Sequence, residues 1–280
     1  MLPHIYRYEI SPNTWMCLEC TGVLHASQSN FQKIEVVESL DFGKMLILDN
    51  VINLTERDEF VYHEMLTHVA MFSHPNPQKV LIVGGGDGGT AREALKHPGV
   101  KGIHLVEIDE EVISVSRRYF PSIAVSFNHP KVEVQIRDAV EYMKETRERF
   151  DIILIDSTDP VIDQSGGLFS VPFYRDCLKA LTEQGILAAQ VGDIGFETNI
   201  VLGVFNGLKQ CFPITRMYLA PVPSYTIVPY AFAFCSKSMR PELGLGLSRF
   251  DEGFQTRYYN PQTHGAALSL PEHLRKDFES

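Results

Sequence analysis

Between Val80 and Gly89 the chain reads VLIVGGGDGG, an apolar run that breaks abruptly into glycines, and few folds accommodate such a stretch. Val80 to Val83 suit a strand buried on both faces of a parallel sheet. Gly84, Gly85, Gly86, Gly88 and Gly89 suit a turn whose backbone comes close to a ligand. From Thr90 the pattern turns helical. Strand, glycine turn and helix make the first unit of a nucleotide-binding α/β sheet, and Glu107, 21 residues past Gly86 at the end of IHLVE, stands where an acid accepts both ribose hydroxyls.

Dinucleotide enzymes and proteins that bind S-adenosylmethionine share that pattern, and Asp87 separates them. A fixed anion in the turn repels both a pyrophosphate and the carboxylate of a methionine moiety. It welcomes a cation. The ligand it points to is an adenosyl compound whose tail carries an ammonium and no carboxylate, a description that decarboxylated S-adenosylmethionine meets. The alternative is that Asp87 caps the following helix; on this stretch alone both readings stand.

The length of 280 residues and a hydrophobic share of 44% provide for a sizeable core, with room for one large and one small domain. A net charge of −10 without any Lys/Arg cluster argues against nucleic acid, and no stretch resembles a membrane span or a signal peptide, so a cytoplasmic protein is expected. Five cysteines without regular spacing fit reduced thiols; Cys17 and Cys20 form a lone CxxC with no second pair to complete a zinc site. His63 and His68 lie five residues apart, on different helix faces, where a zinc-binding HExxH needs four. No metal site is expected.

Residues 1–54 show short alternating runs (FQKIEVVES, KMLILDN, VINL) separated by Gly22, Asp41-Phe42-Gly43 and Asp49-Asn50, which predicts a small antiparallel sheet of hairpins. Thr55, three residues before Asp58, reads as a capping-box start to a helix over 55–73, followed by a Pro-rich linker over 74–78. Residues 55–280 then form the second domain. Its predicted strands are Val80–Val83, Ile103–Glu107, Val132–Ile136, Ile152–Ile155, Ile186–Gln190, Ile214–Leu219 and Ala231–Cys235, with helical intervals up to Cys211. Such alternation predicts a parallel sheet with helices on both faces and a ligand beyond the carboxyl ends of the strands, where Asp87, Glu107, Asp138 and Asp156 converge.

The segments TERDEFVYHEM, VLIVGGGDGGTARE, EIDEEVI, DSTDP and RYYNPQTHGAALSLP, in that order, closely resemble the spermidine synthases, the polyamine aminopropyltransferases. The resemblance runs from about Gln32 to the C-terminal tail. It implies an N-terminal β domain on a methyltransferase-like (Rossmann-type) seven-stranded α/β domain, assembled as homodimers or homotetramers. It also implies decarboxylated S-adenosylmethionine as a co-substrate, with no cofactor, and an amine acceptor. By motif position Gln32, Tyr62, His63 and Asp87, with Gly84 and Gly86, match contacts to the donor; Glu107 matches the ribose acid, and Asp138 and Ala139 the adenine pair. Asp156 matches the catalytic base, Asp156, Asp159 and Tyr62 line the acceptor side, and Tyr225 matches an acceptor-side tyrosine.

The chemistry this implies is constrained physically. An aliphatic amine with a pKa near ~10 attacks only after losing a proton, so desolvation and the nearby sulfonium must depress that pKa while Asp156 takes the proton. Asp159 would hold the far ammonium. The chain departs from the family pattern at 161–169, in a segment read as an active-site lid over 157–169 with Gly166 and Gly167 as hinges. It departs again at 224–229, which lacks the usual glycine, and at Asn53, where glutamine is usual. Two of these departures line the acceptor side. Putrescine, giving spermidine and methylthioadenosine, is the default; cadaverine, agmatine, diaminopropane and longer polyamines are alternatives, as is a non-catalytic adenosyl-binding protein on the same fold.

Overall fold

The structure, a computed structural model, describes residues 4–159, 167–225, 228–251 and 253–278. The N-terminal part is a five-stranded antiparallel sheet, β1 (His4–Ser11), β2 (Thr14–Gln28), β3 (Lys33–Ser39), β4 (Gly43–Leu48) and β5 (Val51–Thr55), in sequential order. Asp49 and Asn50, both at positive φ, close the β4–β5 hairpin in the twist-matched turn that such residues favour. Gly22 does not separate strands as expected: β2 runs through it, and it pairs with Glu38 of β3 beside a bulge at Thr21. Cys17 is exposed and Cys20 buried, on opposite faces of β2.

Helix α1 (Glu59–Ser73) is buried at every residue but Phe60. Thr55 is not its cap but the end of β5, and its hydroxyl donates to Asp58 Oδ1 at 2.7 Å. Glu64, deep in this helix, accepts the backbone N–H groups of Arg257, Tyr258 and Tyr259 at 2.8 Å each, which fastens the RYYNP segment across α1.

The large sheet comprises β6 (Lys79–Gly84), β7 (Gly102–Glu107), β8 (Val132–Ile136), β9 (Phe150–Asp156), β10 (Leu181–Asp193), β11 (Ile214–Ala220) and β12 (Tyr230–Ser236), in the order β11-β12-β10-β9-β6-β7-β8. All seven predicted strands are present, but the sheet is mixed: β12 runs antiparallel to both β10 and β11. The physical reason lies in the connection. Residues 221–229, which connect β11 to β12, are too few for the crossover that a parallel neighbour requires. Helices α2 (Gly89–Leu95), α3 (Glu110–Tyr119), α4 (Ala139–Glu145), α5 (Val171–Ala180) and α6 (Thr198–Lys209) link the strands, and α7 (Pro261–Ala267) and α8 (Glu272–Phe278) close the chain. Two apolar clusters cover the two sheet faces, and a third joins Ile34, Val36, Leu46 and Leu48 of the small sheet to Val112 and Val115 of α3. Because β7 and β9 flank β6, the strand order reverses at the carboxyl end of β6, where open α/β sheets hold ligands. No helix among the described residues is long and apolar enough to cross a membrane.

Candidate active site

At that reversal lies a cavity of about 460 Å³, roofed by residues of the small sheet and floored by the carboxyl ends of β6, β7, β9 and β10. Gly84 sits at φ +81°, and a Cβ there would stand 2.1 Å from the Asp156 carbonyl oxygen, so β6 and β9 meet this closely only because position 84 is glycine. Gly86 faces Glu107. Gln32, Tyr62, His63, Gly84, Gly86, Asp87, Glu107, Asp138, Ala139, Asp156, Asp159 and Tyr225 all line this one cavity.

At the end of the cavity beside β7, Glu107 Oε1 accepts the Asp109 N–H at 2.9 Å, and Asp109 in turn accepts from Gln32 Nε2 at 3.0 Å and Ser29 Oγ at 2.6 Å. These bonds tie the small domain to the end of β7. Burial pushes the Glu107 carboxyl up to about 7, against its backbone hydrogen bonds and with help from the Asp109 and Asp156 charges. Asp138 caps α4 through the Val140 N–H at 2.6 Å.

Asp87 is not the N-cap of α2, which is Gly88, but stands just before it. Its Oδ1 accepts the Gly89 N–H at 2.6 Å, at the start of α2, and also faces His63 Nε2 at 3.1 Å. The other ring nitrogen, Nδ1, meets Glu59 Oε2 at 2.6 Å, and Arg92 holds both oxygens of Glu59 at 3.0 and 2.8 Å. Burial opposes charge on His63, yet Asp87 and Glu59 outweigh it and raise its pKa well above the usual value. Burial likewise opposes ionisation of Asp87, and His63 with the Gly89 N–H holds the carboxyl below its ordinary range. The result is a buried chain of alternating charge, Arg92–Glu59–His63–Asp87, that keeps an anion in the glycine turn. His63, Asp87 and Asp156 bring ligand-type atoms within 4.8 Å of one another, but both His63 nitrogens and both Asp156 oxygens are engaged in hydrogen bonds. Neither His68 nor His97 reaches this site; they pair at 3.1 Å beside Glu93.

Asp156, the last residue of β9, accepts from Tyr62 Oη at 2.8 Å and from Thr90 Oγ1 at 2.6 Å. Burial and the Asp87 charge push its pKa up to about 6 against those bonds and the His63 charge. Tyr62, Tyr225 and Tyr230 cluster with ring centroids 5.1–6.0 Å apart, forming an aromatic wall suited to cations. Tyr225 donates to the Asn53 carbonyl oxygen. Gln190 Nε2 donates to the Ser157 and Thr158 carbonyl oxygens at 2.9 Å each, which turns its Oε1 to Tyr230 Oη at 2.6 Å. The same phenol oxygen meets Asp159 Oδ1. One phenol proton serves only one of these two acceptors at a time. Burial pushes the Asp159 carboxyl up to about 6, against the Tyr230 hydrogen bond and with help from the Asp193 charge.

Sequence reasoning missed Thr90, Tyr230, Gln190, Tyr8, Asp193 and Glu197. For Asp193 a signal existed, since it closes β10 as Asp156 closes β9, but Gly192, at φ +105° beside a bulge, made the strand seem to end at Gln190. Within the expected lid over 157–169, residues 160–166 lie outside those the structure describes, as do Thr226 and Ile227 of the acceptor-side segment.

Two family models match the chain, a spermine/spermidine synthase domain over residues 59–243 and a spermidine synthase tetramerisation domain over residues 5–56. The chain belongs to the spermidine synthase family. Among relatives in this family, a polyamine aminopropyltransferase of Bacillus cereus is 46% identical over 249 residues, covering 89% of this chain and 90% of that protein. One from Bacillus subtilis is 42% identical over 267 residues, covering 95% and 96%. A spermidine synthase solved with the transition-state analogue AdoDATO superposes with a TM-score of 0.95 at 37% identity, covering 99% of this chain and 95% of the other. The Thermotoga maritima spermidine synthase superposes at 0.91 with 36% identity, covering 98% and 95%. The chain is thus a polyamine aminopropyltransferase of the spermidine synthase type.

Proposed function

We propose that this enzyme moves the aminopropyl group of decarboxylated S-adenosylmethionine onto one end of a linear amine, with Asp156 as the base. The supporting observation is the pairing of an anion fixed in the glycine turn, Asp87, with a raised-pKa carboxyl, Asp156, across one cavity. Asp87 would hold the ammonium of the aminopropyl tail. His63, both nitrogens engaged, serves by fixing Asp87 rather than by hydrogen-bonding the donor. Glu107 would take the ribose hydroxyls, while Asp138 and Ala139 flank the adenine and Gln32 closes over the donor.

In the reaction the amine nitrogen attacks the aminopropyl carbon bonded to sulfur. The C–S bond breaks with its electron pair moving to sulfur, which neutralises the sulfonium and frees methylthioadenosine. One proton of the attacking amine passes to Asp156. A carboxyl near 6 is a closer match to a desolvated amine than an ordinary aspartate near ~4. Tyr62 and Thr90 fix its two oxygens, and Asp159 with Tyr230 receives the next ammonium along the acceptor. A diamine such as putrescine would offer its second ammonium to this pair.

The test is chromatographic detection of methylthioadenosine and an aminopropylated amine, with S-adenosylmethionine as control donor. Product from the decarboxylated donor alone supports the reading; tight donor binding without product from any amine refutes it.

The small sheet exposes Ile5, Trp15, Val23 and Leu24 at 39–49% of their surface. Such apolar exposure on a tetramerisation-type domain supports assembly into dimers or tetramers through β1 and β2.

A further inference from the structure

Beyond Asp156 and Asp159, the side of the cavity formed by β10 and α6 holds two acids that the reaction above does not use, Asp193 at the end of β10 and Glu197 at the start of α6. Asp193 is only 5% exposed. Its Oδ1 accepts the Gly195 and Phe196 N–H groups at 2.6 and 2.9 Å, but its Oδ2 is buried and has no hydrogen-bond partner among the described residues, and the same holds for Glu197 Oε2. An unsatisfied buried carboxylate oxygen is costly, and a ligand-binding role is one reason such a group persists.

Helix capping does not account for them. Glu197 occupies the N-cap of α6, yet its side chain accepts no N–H from the helix. Asp193 Oδ1 serves the turn and leaves Oδ2 unexplained. Asp193 pairs with Tyr230 across β10 and β12, Tyr230 reaches Asp159, and the Glu197 N–H donates to the Asp193 carbonyl oxygen, so the three acids are neighbours on one side of the cavity. Tyr8 lines the same cavity, and its phenol pKa is raised first by burial and then by the charges of Asp159 and Glu197, with smaller contributions from Tyr6 and Asp193. Among the described residues no cationic side chain offsets Asp159 or Glu197.

Resting on the aminopropyl-transfer reading, we propose that the acceptor is a linear triamine, whose middle ammonium lies at Asp159 and whose far ammonium is held by Asp193 Oδ2 and Glu197 Oε2. A diamine brings only one ammonium to three carboxyls once its attacking nitrogen is neutral. A triamine brings two. The remaining charge is met by a proton, since burial with the Asp159 and Asp193 charges lifts the Glu197 carboxyl to about 7.

The test is steady-state kinetics of the full chain with decarboxylated S-adenosylmethionine and diaminopropane, putrescine, cadaverine, agmatine or spermidine. Calorimetric binding of each amine in the presence of methylthioadenosine reads the subsite without turnover. The expected result is a spermidine kcat/KM and affinity above every diamine's by about tenfold or more. Glu197→Gln and Asp193→Asn should each lower the spermidine-to-putrescine ratio by about tenfold, through KM rather than kcat. Asp193→Asn can retain both turn hydrogen bonds through its amide oxygen, so it removes charge without removing the turn. Putrescine binding as tightly as spermidine, or agmatine exceeding it, overturns the triamine subsite even if transfer occurs. Absence of turnover with every amine refutes the transfer reading, while the calorimetric order still decides the subsite.

Discussion

Asp156 carries the reaction in this reading, and its two hydroxyl partners define what its loss would do. Asp156→Asn should lower kcat by about 10²–10⁴-fold while donor affinity, measured by calorimetry, changes little. With its pKa raised to about 6, the base is protonated and idle below that pH, so kcat should climb as pH rises through about 6. Asp159 adds a stability consequence of definite sign. Its folded-state pKa, about 6, lies above the ordinary 3.8, so its ionisation disfavours the fold, from nothing below pH 3.8 to a full effect above 6. Asp159→Asn should therefore stabilise the protein by about 1–3 kcal/mol at pH 8, and the gain should vanish on titration below pH 4. A melting-temperature series across that range checks it; a gain independent of pH would show that charge is not the cause.

At the scale of elements, the glycine turn and α1 are coupled through His63. A Cβ on Gly89 would stand 2.3 Å from the His63 ring, so Gly89→Ala must displace the imidazole and with it Asp87. Donor affinity should fall about tenfold or more, read by calorimetry with the decarboxylated donor. Glu59→Gln breaks the chain between Arg92 and His63 and leaves the half-buried guanidinium with Glu93 as its remaining counter-charge; a loss of about 1–3 kcal/mol in denaturant unfolding is expected. The helix itself was legible as apolar and periodic. Its all-round burial was not, because that depends on the C-terminal segment that Glu64 pins across it from 193 to 195 residues away.

For the whole molecule, the small sheet both roofs the cavity and presents apolar side chains outward. Replacing Ile5 and Val23, exposed at 49% and 48%, by glutamate should reduce the mass measured by light scattering if β1 and β2 form the interface. An unchanged mass would place the interface elsewhere. The tie from Gln32 through Asp109 to Glu107 makes roof and floor one unit, so the donor would bind between domains rather than within one.

The strands of the large sheet were readable because a strand buried on both faces needs an unbroken apolar run, and VLIV, IILI and their neighbours supply it. Asp87, Glu107 and Asp156 were readable too, because a strand's end fixes where the next side chain falls, and the family resemblance carried the rest of the expected site residues to one cavity. What the sequence could not show was set by contacts between distant segments. The antiparallel course of β12, the hydrogen bonds that hold Asp156 and Asp87, and the unpartnered oxygens of Asp193 and Glu197 are such features. Local pattern specifies which residues are buried in an element, but a carboxyl's charge state and partners depend on neighbours that only folding brings within hydrogen-bonding reach.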